Sequence, residues 1–386
     1  MSFIQSNTLL RVDSNKSDIL IIDDEGSSFI IECIPDRLKY SIVKVREGIP
    51  YIAKPAFLFR LFARVLQFGL KNKALISAIV DVISPKVIIS YIDNSPIMGE
   101  LSVIFPNRIV ISVQNGTRMD AYGFLDSSGD FRLPYYFSFG NYEKKIAEKY
   151  NIKYKEIYAT GSLKTSIFLK NHNHSIENNK SICLISQHWS NTSDKTIIDY
   201  MEKIKRIYLN LISWSDKRNY EVKIAMRNKK SKRSSYKDEV NFYNENDTYR
   251  KVELIPNTNF SSYKAGYESS IIITMDSTLG FELLGLGKKV LFCAKTIEDT
   301  LKHKENINYI FCEIPEMLLL DGLTQHEFNN KIDALINMEG CEYLKQTEGA
   351  RKYYMNFNKL PVYKVISNFI CEKIDNNKIN YDTRNR

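Results

Sequence analysis

A β-branched run gives way to hydroxyl residues and then to a helix-like stretch in segment 271–282 of the chain. Three isoleucines lead into Thr274, Ser277 and Thr278, and Glu282 follows one helical turn later. Such a helix start presents backbone N–H groups, hydroxyls and the positive end of the helix dipole, which together bind anions. Glu282 is placed to accept hydrogen bonds from a sugar diol. The pattern predicts half of a nucleotide-sugar site, and an ordinary Ser/Thr cap with a capping-box-like glutamate explains it equally well.

An acid follows a predicted strand in the first half of the chain. Asp93 comes directly after the β-branched run 87–92. It is a candidate general base for an acceptor hydroxyl, or a carboxylate nucleophile at an anomeric carbon. An Asx turn before Pro96 explains the same residue without chemistry. The neighbouring Asn94 is a candidate contact to the acceptor or to a donor carboxylate, and Glu100 is a weaker catalytic candidate.

The strand predicted at 108–113 also ends in polar side chains. Gln114 and Asn115 supply amides, and Gly116 allows a close approach of the backbone. Arg118 can hold a carboxylate or a phosphate with two parallel hydrogen bonds. These side chains are candidate contacts to the acceptor or to a donor carboxylate, with an ordinary strand-to-loop turn as the alternative.

Residues that suit a phosphate recur in the middle of the chain. Lys164 follows Gly161 and two hydroxyl residues, a group that suits a phosphate or a hinge. Gln187 and His188 follow one predicted strand, and Arg227 follows the next. These side chains are candidate nucleotide or phosphate contacts, although an isolated histidine is more often a surface or capping residue.

Several catalytic signatures are missing from the sequence: GxxxxGK[ST], GxSxG, HExxH, and GxGxxG after a strand. Their absence disfavours a P-loop enzyme, a serine hydrolase, a zinc protease and a dinucleotide oxidoreductase. No predicted strand ends in the Asp-x-Asp metal handle of single-domain glycosyltransferases. We therefore expect an enzyme without a metal or other cofactor, with the nucleotide sugar as a substrate.

The composition indicates a globular protein with anionic partners. The chain has 386 residues, which suggests about two domains, and 44% of them are hydrophobic. The formal net charge is +9, and segment 217–237 carries nine basic residues against one acid. A solvated face is the favoured interpretation of that segment, over a patch that contacts lipid or a polymer. Basic residues are not interleaved with aromatic residues that look exposed, so nucleic-acid binding is not expected.

The location expected from the sequence is the cytoplasm, with the inner face of the membrane as a candidate for peripheral contact. Neither a signal peptide nor an apolar run of about twenty residues is recognisable. Six cysteines without CxxC spacing indicate buried thiols in a reducing compartment. The helix predicted at 57–70 carries Arg60, Arg64, Gln67 and Lys71 on one stripe. A core helix with a charged outer face is favoured there over docking to an anionic membrane.

Strand-like and helix-like runs alternate along the chain, which predicts parallel α/β sheets in two halves. Ligands bind at the carboxyl ends of such strands, and we expect two sheets facing across a cleft. Strands are predicted at 18–22, 29–34, 40–45, 87–92, 108–113 and 156–159, and then at 181–186, 221–226, 251–255, 270–274 and 289–293. Helices are predicted at 57–70, 74–82 and 196–213.

Two Rossmann-like domains follow from this division, separated by a polar linker at 171–180. We expect an acceptor domain at 1–170 and a nucleotide-sugar domain at 171–355. At 356–386 we expect a helix that packs back on the first domain, followed by a polar tail.

The order of four short segments, 91–94, 112–118, 160–162 and 274–282, resembles bacterial surface-carbohydrate biosynthesis proteins of the GT-B glycosyltransferase type. The resemblance covers about residues 85–365. The motif pattern is most similar to that of transferases of Kdo and related ulosonic acids, and more distantly similar to that of capsule and CDP-glycerol polymerases.

This resemblance implies a nucleotide site at Ser277, Thr278 and Glu282, with Gln187 and Lys164 nearby. It also implies an acceptor-side carboxylate at Asp93. The segment 224–228 departs from the family pattern, because many relatives carry a His-Pro pair there.

The function expected is transfer of a sugar, with a CMP-linked ulosonic acid favoured as donor, to a lipopolysaccharide, capsule or other glycan acceptor, free or lipid-linked. Arg118 and the basic second half would hold the extra donor carboxylate. A nucleotide-sugar 2-epimerase is one alternative, which needs further acid/base carboxylates. A glycan-binding or assembly protein without activity is another.

Overall fold

The computed structural model describes residues 16–44, 55–118, 131–172, 180–190, 193–247, 252–293, 310–320 and 322–384. Most of the predicted linker, residues 173–179, lies outside this part of the chain, as does residue 251 of one predicted strand. The chain divides into two compact units. The first unit consists of two stretches of the chain, one up to Ile167 and one from Asn358 onward. The second unit covers Phe168–Phe357.

A parallel sheet forms the centre of the first unit. Within the described residues it has six strands in the order β2-β1-β3-β4-β5-β6. The inner strands are short runs of isoleucine and valine buried on both faces, as is typical of parallel sheets covered by helices. The strands are β1 (Ile19–Ile22), β2 (Tyr40–Val43), β3 (Val87–Ser90), β4 (Ile109–Val113), β5 (Arg132–Ser138) and β6 (Lys153–Ala159).

Helices connect these strands, and one further helix comes from the end of the chain. Phe369 on this last helix packs against the rings of Tyr135, Phe137 and Tyr158, with ring centroids 5.0–5.3 Å apart. The helices are α1 (Ser27–Ile31), α2 (Pro55–Phe68), α3 (Asn72–Ile83), α4 (Ile97–Ile104), α5 (Asn141–Lys149), α6 (Leu163–Asn171), whose last residues belong to the second unit, and α14 (Val362–Arg384).

A second parallel sheet forms the centre of the other unit, where the described strands have the order β11-β10-β7-β8-β9. The strands are β7 (Ser181–Ile185), β8 (Glu221–Ala225), β9 (Val252–Ile255), β10 (Ile271–Thr274) and β11 (Lys289–Phe292). The helices are α7 (Lys195–Arg218), α8 (Arg233–Asn246), α9 (Ser261–Glu268), α10 (Thr278–Gly285), α11 (Gln325–Asn337), α12 (Gly340–Gln346) and α13 (Glu348–Tyr354).

Two elements of the first unit differ from the sequence prediction. The strand predicted at 29–34 is wrong, because this stretch forms the short helix α1 and only Ile30 of that helix is buried. A short apolar run does not distinguish the two structures by its periodicity. Strand β5, which contains Pro134, was not predicted. Pairing with β4 begins only at Tyr135, so the proline lies where it interrupts no bond to that strand.

Helix α2 also differs from the favoured interpretation of a core helix with a charged outer face. Arg64 points toward α3, where its guanidinium holds Asp81 through hydrogen bonds of 2.7 and 2.9 Å. Phe62 and Leu66 are exposed instead. The charged side chain is therefore at the helix–helix interface and an apolar stripe faces outward.

None of the helices in the described part of the chain combines the length and the apolar character needed to cross a bilayer.

Gly99 on α4 provides a test of how tightly this helix packs on the first sheet. A Cβ atom there would lie 2.3 Å from the backbone oxygen of Arg132, so Gly99→Ala must push α4 away from β5. We expect a loss of about 1–3 kcal/mol in the free energy of unfolding, measured with urea. Gly349→Ala on α13 is the matched control, because a Cβ there meets nothing within 4 Å. Equal stability of the two variants would contradict the packing argument.

Candidate active site

Asp93 lies three residues after the end of β3, in a turn that the strand itself organises. The Ser90 hydroxyl donates to the Ile22 carbonyl at 2.9 Å and accepts from the Ile92 N–H at 3.0 Å. These bonds tie the end of β3 to β1 and fix the direction of the chain that follows. The predicted position of Asp93 at the carboxyl edge of the sheet is therefore built by neighbouring backbone groups.

Three donors surround the Asp93 carboxylate, which is 1% exposed. Arg118 donates from Nε at 3.1 Å and from Nη2, and the Tyr136 hydroxyl donates at 2.9 Å. The Asn115 N–H adds a bond of 3.3 Å. A buried ion pair of this kind persists only when such bonds replace the lost water.

We call Asp93 and its donors Asn115, Arg118 and Tyr136 the Asp93 cluster. The charges in this cluster reinforce one another. Burial acts to lower the pKa of Arg118, but the charge of Asp93, the hydrogen bond to it and the neighbouring acidic groups together outweigh burial and raise that pKa above its usual value. Burial, followed by the charge of Asp93, also raises the pKa of Tyr136 well above its ordinary value. Tyr136 therefore stays protonated and acts as a hydrogen-bond donor to Asp93.

Gln114, which precedes Asn115 in the chain, bonds to a second buried acid, Glu143. The Gln114 amide donates to Glu143 at 2.6 Å, while its oxygen accepts from the Phe139 N–H at 2.6 Å. Glu143 also accepts from the Gly140 N–H at 3.4 Å and so caps α5. Burial raises the pKa of Glu143 to about 7, although its hydrogen bonds oppose the shift.

Sequence reasoning missed both Tyr136 and Glu143. Tyr136 lies on the strand that was not predicted, and Glu143 follows that strand by five residues. A helix start with glutamate at its third position is a recognisable capping signal. A buried carboxyl group with a pKa close to neutral pH is suited to general acid/base chemistry, so the cluster can transfer protons as well as position charge.

Within the described part of the chain, neither Glu100 nor Asn94 hydrogen-bonds to the Asp93 carboxylate. Glu100 forms an ion pair of 3.1 Å with Lys73 on α3, and Asn94 is exposed. The catalytic role of Glu100 and the binding role of Asn94 stay predictions.

Lys164 lies half-buried at the start of α6, in the first unit. The preceding Ser162 is fully buried and its hydroxyl accepts from the Thr165 N–H at 3.2 Å, so it caps this helix. Gly161 has a φ of +87°, which explains the glycine at this position. A helix cap therefore accounts for the hydroxyl and the glycine of this segment, and phosphate binding by Lys164 stays a prediction.

The predicted strand–turn–helix at the start of α10 is present in the second unit. Ser277 occupies the N-cap position, and the structure gives its side chain no capping hydrogen bond. Ser277 and Thr278 are half-buried, so both can be reached from outside. Glu282 is 2% exposed and accepts from the Tyr263 hydroxyl at 2.6 Å. The helix start fits an anion, whereas Glu282 is engaged inside the protein.

Gln187 holds this turn in place. Its side-chain oxygen accepts from the Thr274 hydroxyl at 3.0 Å and from the N–H groups of Met275 and Asp276 at 2.9 and 3.1 Å. Its amide nitrogen donates to the Asp276 carboxylate. The side chain thus joins the end of β7 to the end of β10, and this positioning accounts for its polar contacts.

A buried acid, Glu239 on α8, organises the neighbouring strand ends. It is fully buried and accepts from the backbone N–H groups of Arg227 and Asn228, each at 2.8 Å. The Ser186 hydroxyl at the end of β7 donates to the same carboxylate. Glu239 therefore joins the loops that follow β7 and β8.

His188, Trp189 and Arg227 lie together on these loops. The Arg227 guanidinium carbon is 3.8 Å from the centre of the Trp189 ring, and its Nη1 donates to the His188 carbonyl at 3.1 Å. His188 is 6% exposed, and its Nδ1 is buried with no partner among the described atoms. Burial lowers the pKa of His188 in spite of the nearby acids, so the ring is neutral at pH 7.

The loop after β8 continues this positive surface with several exposed lysines. Lys229, Lys230 and Lys232 are all exposed between β8 and α8. With Arg227 they provide cations at the carboxyl edge of the second sheet, where β7 lies between β8 and the strand β10 that precedes α10. The edge is therefore suited to an anionic ligand with a flat group that stacks on an aromatic ring.

Comparisons with known proteins agree with this architecture. A sequence model of the family described as "putative O-antigen biosynthesis protein" matches residues 111–360. A comparison with curated protein sequences gives no match.

Among solved structures, the wall teichoic acid polymerase TagF has a TM-score of 0.58 at 10% identity, over 94% of this chain and 91% of that one. The UDP-GlcNAc 2-epimerase of Methanocaldococcus jannaschii has a TM-score of 0.53 at 11% identity, over 92% and 99%. MnaA of S. aureus, solved with UDP, has 0.52 at 14% identity, over 92% and 95%. These neighbours confirm the predicted GT-B fold class.

The raised pKa of Glu143 predicts a pH-dependent stability. The folded protein binds this proton more tightly than the unfolded chain, whose glutamate titrates near 4.5. The stabilisation is complete below that pH and is lost as the pH rises to about 7. Between these two pH values the wild type should lose this stabilisation and Glu143→Gln should not. We therefore expect the free energy of unfolding of Glu143→Gln to rise by about 3 kcal/mol relative to that of the wild type, measured by urea unfolding.

Glu148→Gln is the matched control for this measurement, since Glu148 is an exposed acid on the same helix. Its stability relative to the wild type should stay constant over the same range. If the difference in unfolding free energy between Glu143→Gln and the wild type were equally independent of pH, the pKa of Glu143 would not be raised in the folded protein.

Proposed function

Because this chain belongs to the O-antigen biosynthesis protein family and has the GT-B fold, we propose that it is a glycosyltransferase that adds a sugar from a nucleotide donor to a surface glycan. The second unit binds the donor, and the Asp93 cluster of the first unit activates the acceptor. One observation carries the proposal. The adjacent strands β10, β7 and β8 end in a helix start, an unpartnered histidine nitrogen and an arginine stacked on tryptophan.

Donor binding uses the groups at this edge according to their chemistry. The N-terminus of α10, with Ser277 and Thr278, binds phosphate oxygens through N–H groups, hydroxyls and the helix dipole. Arg227 neutralises the phosphate charge, and Trp189 offers a ring for stacking with a base or sugar. Neutral His188 accepts or donates one hydrogen bond through Nδ1. Gln187 acts as a positioning residue that keeps the β10–α10 turn in place.

Acceptor activation is assigned to Asp93. In the proposed reaction it takes the proton of an acceptor hydroxyl, which then attacks the anomeric carbon while the nucleotide phosphate leaves. Arg118 and Tyr136 hold the carboxylate and would be displaced in part by the acceptor. Phosphate departure is stabilised by the α10 N-terminus and Arg227, which supports a reaction without a metal ion. Transfer should then continue in EDTA.

The donor sugar is the least constrained part of the proposal. A CMP-linked ulosonic acid stays a candidate, but Arg118, proposed for its carboxylate, already pairs with Asp93. The exposed lysines after β8 are the remaining cations that support such a donor. A nucleotide sugar without an extra carboxylate needs no such partner.

Glu143 supports a second candidate, a nucleotide-sugar 2-epimerase. That reaction needs acid/base groups in addition to Asp93, and Glu143 has a pKa close to neutral pH beside Gln114. The neighbour from Methanocaldococcus jannaschii is described as a UDP-GlcNAc 2-epimerase, which identifies the substrate to try first. Epimerised donor formed without any acceptor would favour this candidate, and transfer only with acceptor would exclude it.

A nucleotide panel tests the donor site. CMP, CDP, UDP and GDP are added separately to the purified protein, and thermal unfolding and calorimetric binding are measured. A nucleotide present at a hundred times its Kd should stabilise the protein by about 2.7 kcal/mol. If UDP were the only nucleotide that binds, a CMP-linked sugar would be excluded as the donor. Binding of none of the four would contradict the proposed site.

Arg227→Gln should weaken binding of the selected nucleotide about tenfold or more, because a charge-assisted phosphate contact is lost. Lys237→Gln is the matched control, since Lys237 is an exposed cation on α8 that takes no part in the Arg227–Trp189 stack. If both variants bound the nucleotide with equal affinity, Arg227 would not be part of the donor site.

Asp93→Asn tests the acceptor side. The amide keeps the size of the side chain and can still accept from Arg118, but it is not a base. We expect transfer to lipid-linked glycan to fall by about 10²–10⁴-fold, with nucleotide affinity unchanged. Glu148→Gln serves as the control and should keep full transfer. Undiminished transfer by Asp93→Asn would rule out the assigned role.

A further inference from the structure

Four large apolar side chains on α2 face outward. Leu58 is 52% exposed, Phe59 70%, Phe62 62% and Leu66 73%. They lie at spacings of one, three and four residues, so they form a continuous strip along the helix, which we call the α2 stripe. Single exposed apolar residues are common on protein surfaces, but a contiguous strip with two phenylalanines indicates an interaction site.

The fold does not need the α2 stripe for its own packing. The opposite side of the helix is anchored by Phe57, which is fully buried, and by the Arg64–Asp81 ion pair with α3. Leu61 packs against the same core cluster. The helix therefore has one face for the first unit and a second apolar face for another environment.

The charge around the stripe identifies that environment. Segment 54–73 contains five lysine or arginine residues and no acid. Arg64 and Lys73 pair with acids of the first unit, whereas Arg60, which follows Phe59 in the helix, and Lys71, three residues beyond its end, are exposed. An amphipathic helix with exposed phenylalanine and leucine on one side, and with cations but no acid among its polar residues, is typical of helices that lie in a lipid interface.

A positively charged pocket of the first unit lies against α4, and Phe105 at the end of that helix contacts α2. The ring of Phe105, which directly follows α4, lies 5.0 Å from the Arg64 guanidinium carbon. Ser102 and Val103 of α4 line a pocket of about 240 Å³. The described residues that line it include no acid and four cations: Arg108, Arg132, Lys153 and Lys155.

We propose that the α2 stripe and this pocket together form a docking surface for an anionic phospholipid bilayer. The phenylalanine and leucine side chains enter the boundary between headgroups and acyl chains, and the exposed cations attract the negative surface. The pocket is large enough for a lipid phosphate, which four cations can bind. This attachment is independent of catalysis and stands even if the donor site is inactive.

Flotation of the full-length protein with lipid vesicles tests the proposal. We expect binding to vesicles of phosphatidylcholine with about one third phosphatidylglycerol, and much weaker binding to phosphatidylcholine alone or in high salt. Phe59→Glu with Phe62→Glu should weaken binding about tenfold or more, because two apolar anchors are lost. Lys153→Gln with Lys155→Gln should reduce binding to the anionic vesicles only.

Ile198→Glu is the matched control, since Ile198 is 46% exposed on α7 in the second unit. Its vesicle binding and that of the wild type should be equal. All variants change exposed or pocket-lining side chains, so their thermal unfolding midpoints should match the wild type and show that they fold.

Three outcomes would overturn the proposal. The first is wild-type protein that does not float with anionic vesicles, and the second is a Phe59→Glu, Phe62→Glu variant that binds as well as the wild type. The third is a wild-type dimer, seen by light scattering, that the same variant converts to a monomer, which would assign the stripe to a second copy of the chain. Nucleotide binding measured in parallel distinguishes this failure from failure of the donor site.

Discussion

Each of the two sheets depends on one buried carboxylate at its carboxyl edge. Asp93 receives bonds from Arg118, Tyr136 and the Asn115 N–H in the first unit. Glu239 receives bonds from two backbone N–H groups and the Ser186 hydroxyl in the second. A buried charge is stable only when donors converge on it, so each acid forces several strand-end loops into one arrangement. Arg118 and Tyr136 in the first unit, and Ser186 and the backbone at Arg227 in the second, owe their positions in part to these two acids.

The two acids differ in what they leave available for ligands. Around Glu239, the loops present Arg227, Trp189 and His188, and the acid itself is enclosed. Around Asp93, the acid is the centre of the cluster, with Glu143 behind Gln114 as a second titratable group. The second unit thus offers cations, hydroxyls and a ring, while the first offers proton-transfer groups. This difference in chemistry is the physical basis for assigning donor binding to one unit and acceptor activation to the other.

Most of the strands and the polar residues that follow them could be predicted from the sequence. Buried parallel strands need runs of isoleucine and valine, and segments such as 87–92 and 270–274 carry that pattern clearly. The same reasoning failed at 29–34, where a short apolar run forms α1. It also failed at β5, a strand that contains Pro134 and was not predicted. Because β5 was missed, Tyr136 and Glu143 were missed with it.

Local patterns of apolar and polar side chains were enough to predict the fold class, the ends of the central strands and the polar residues placed there. Which of those residues meet depends on the tertiary structure. It paired Arg118 with Asp93, used Gln187 to hold a turn, enclosed Glu282 with Tyr263, and turned the apolar face of α2 outward. Each of these outcomes depends on groups far apart in the chain, and no local pattern specifies the distance between them.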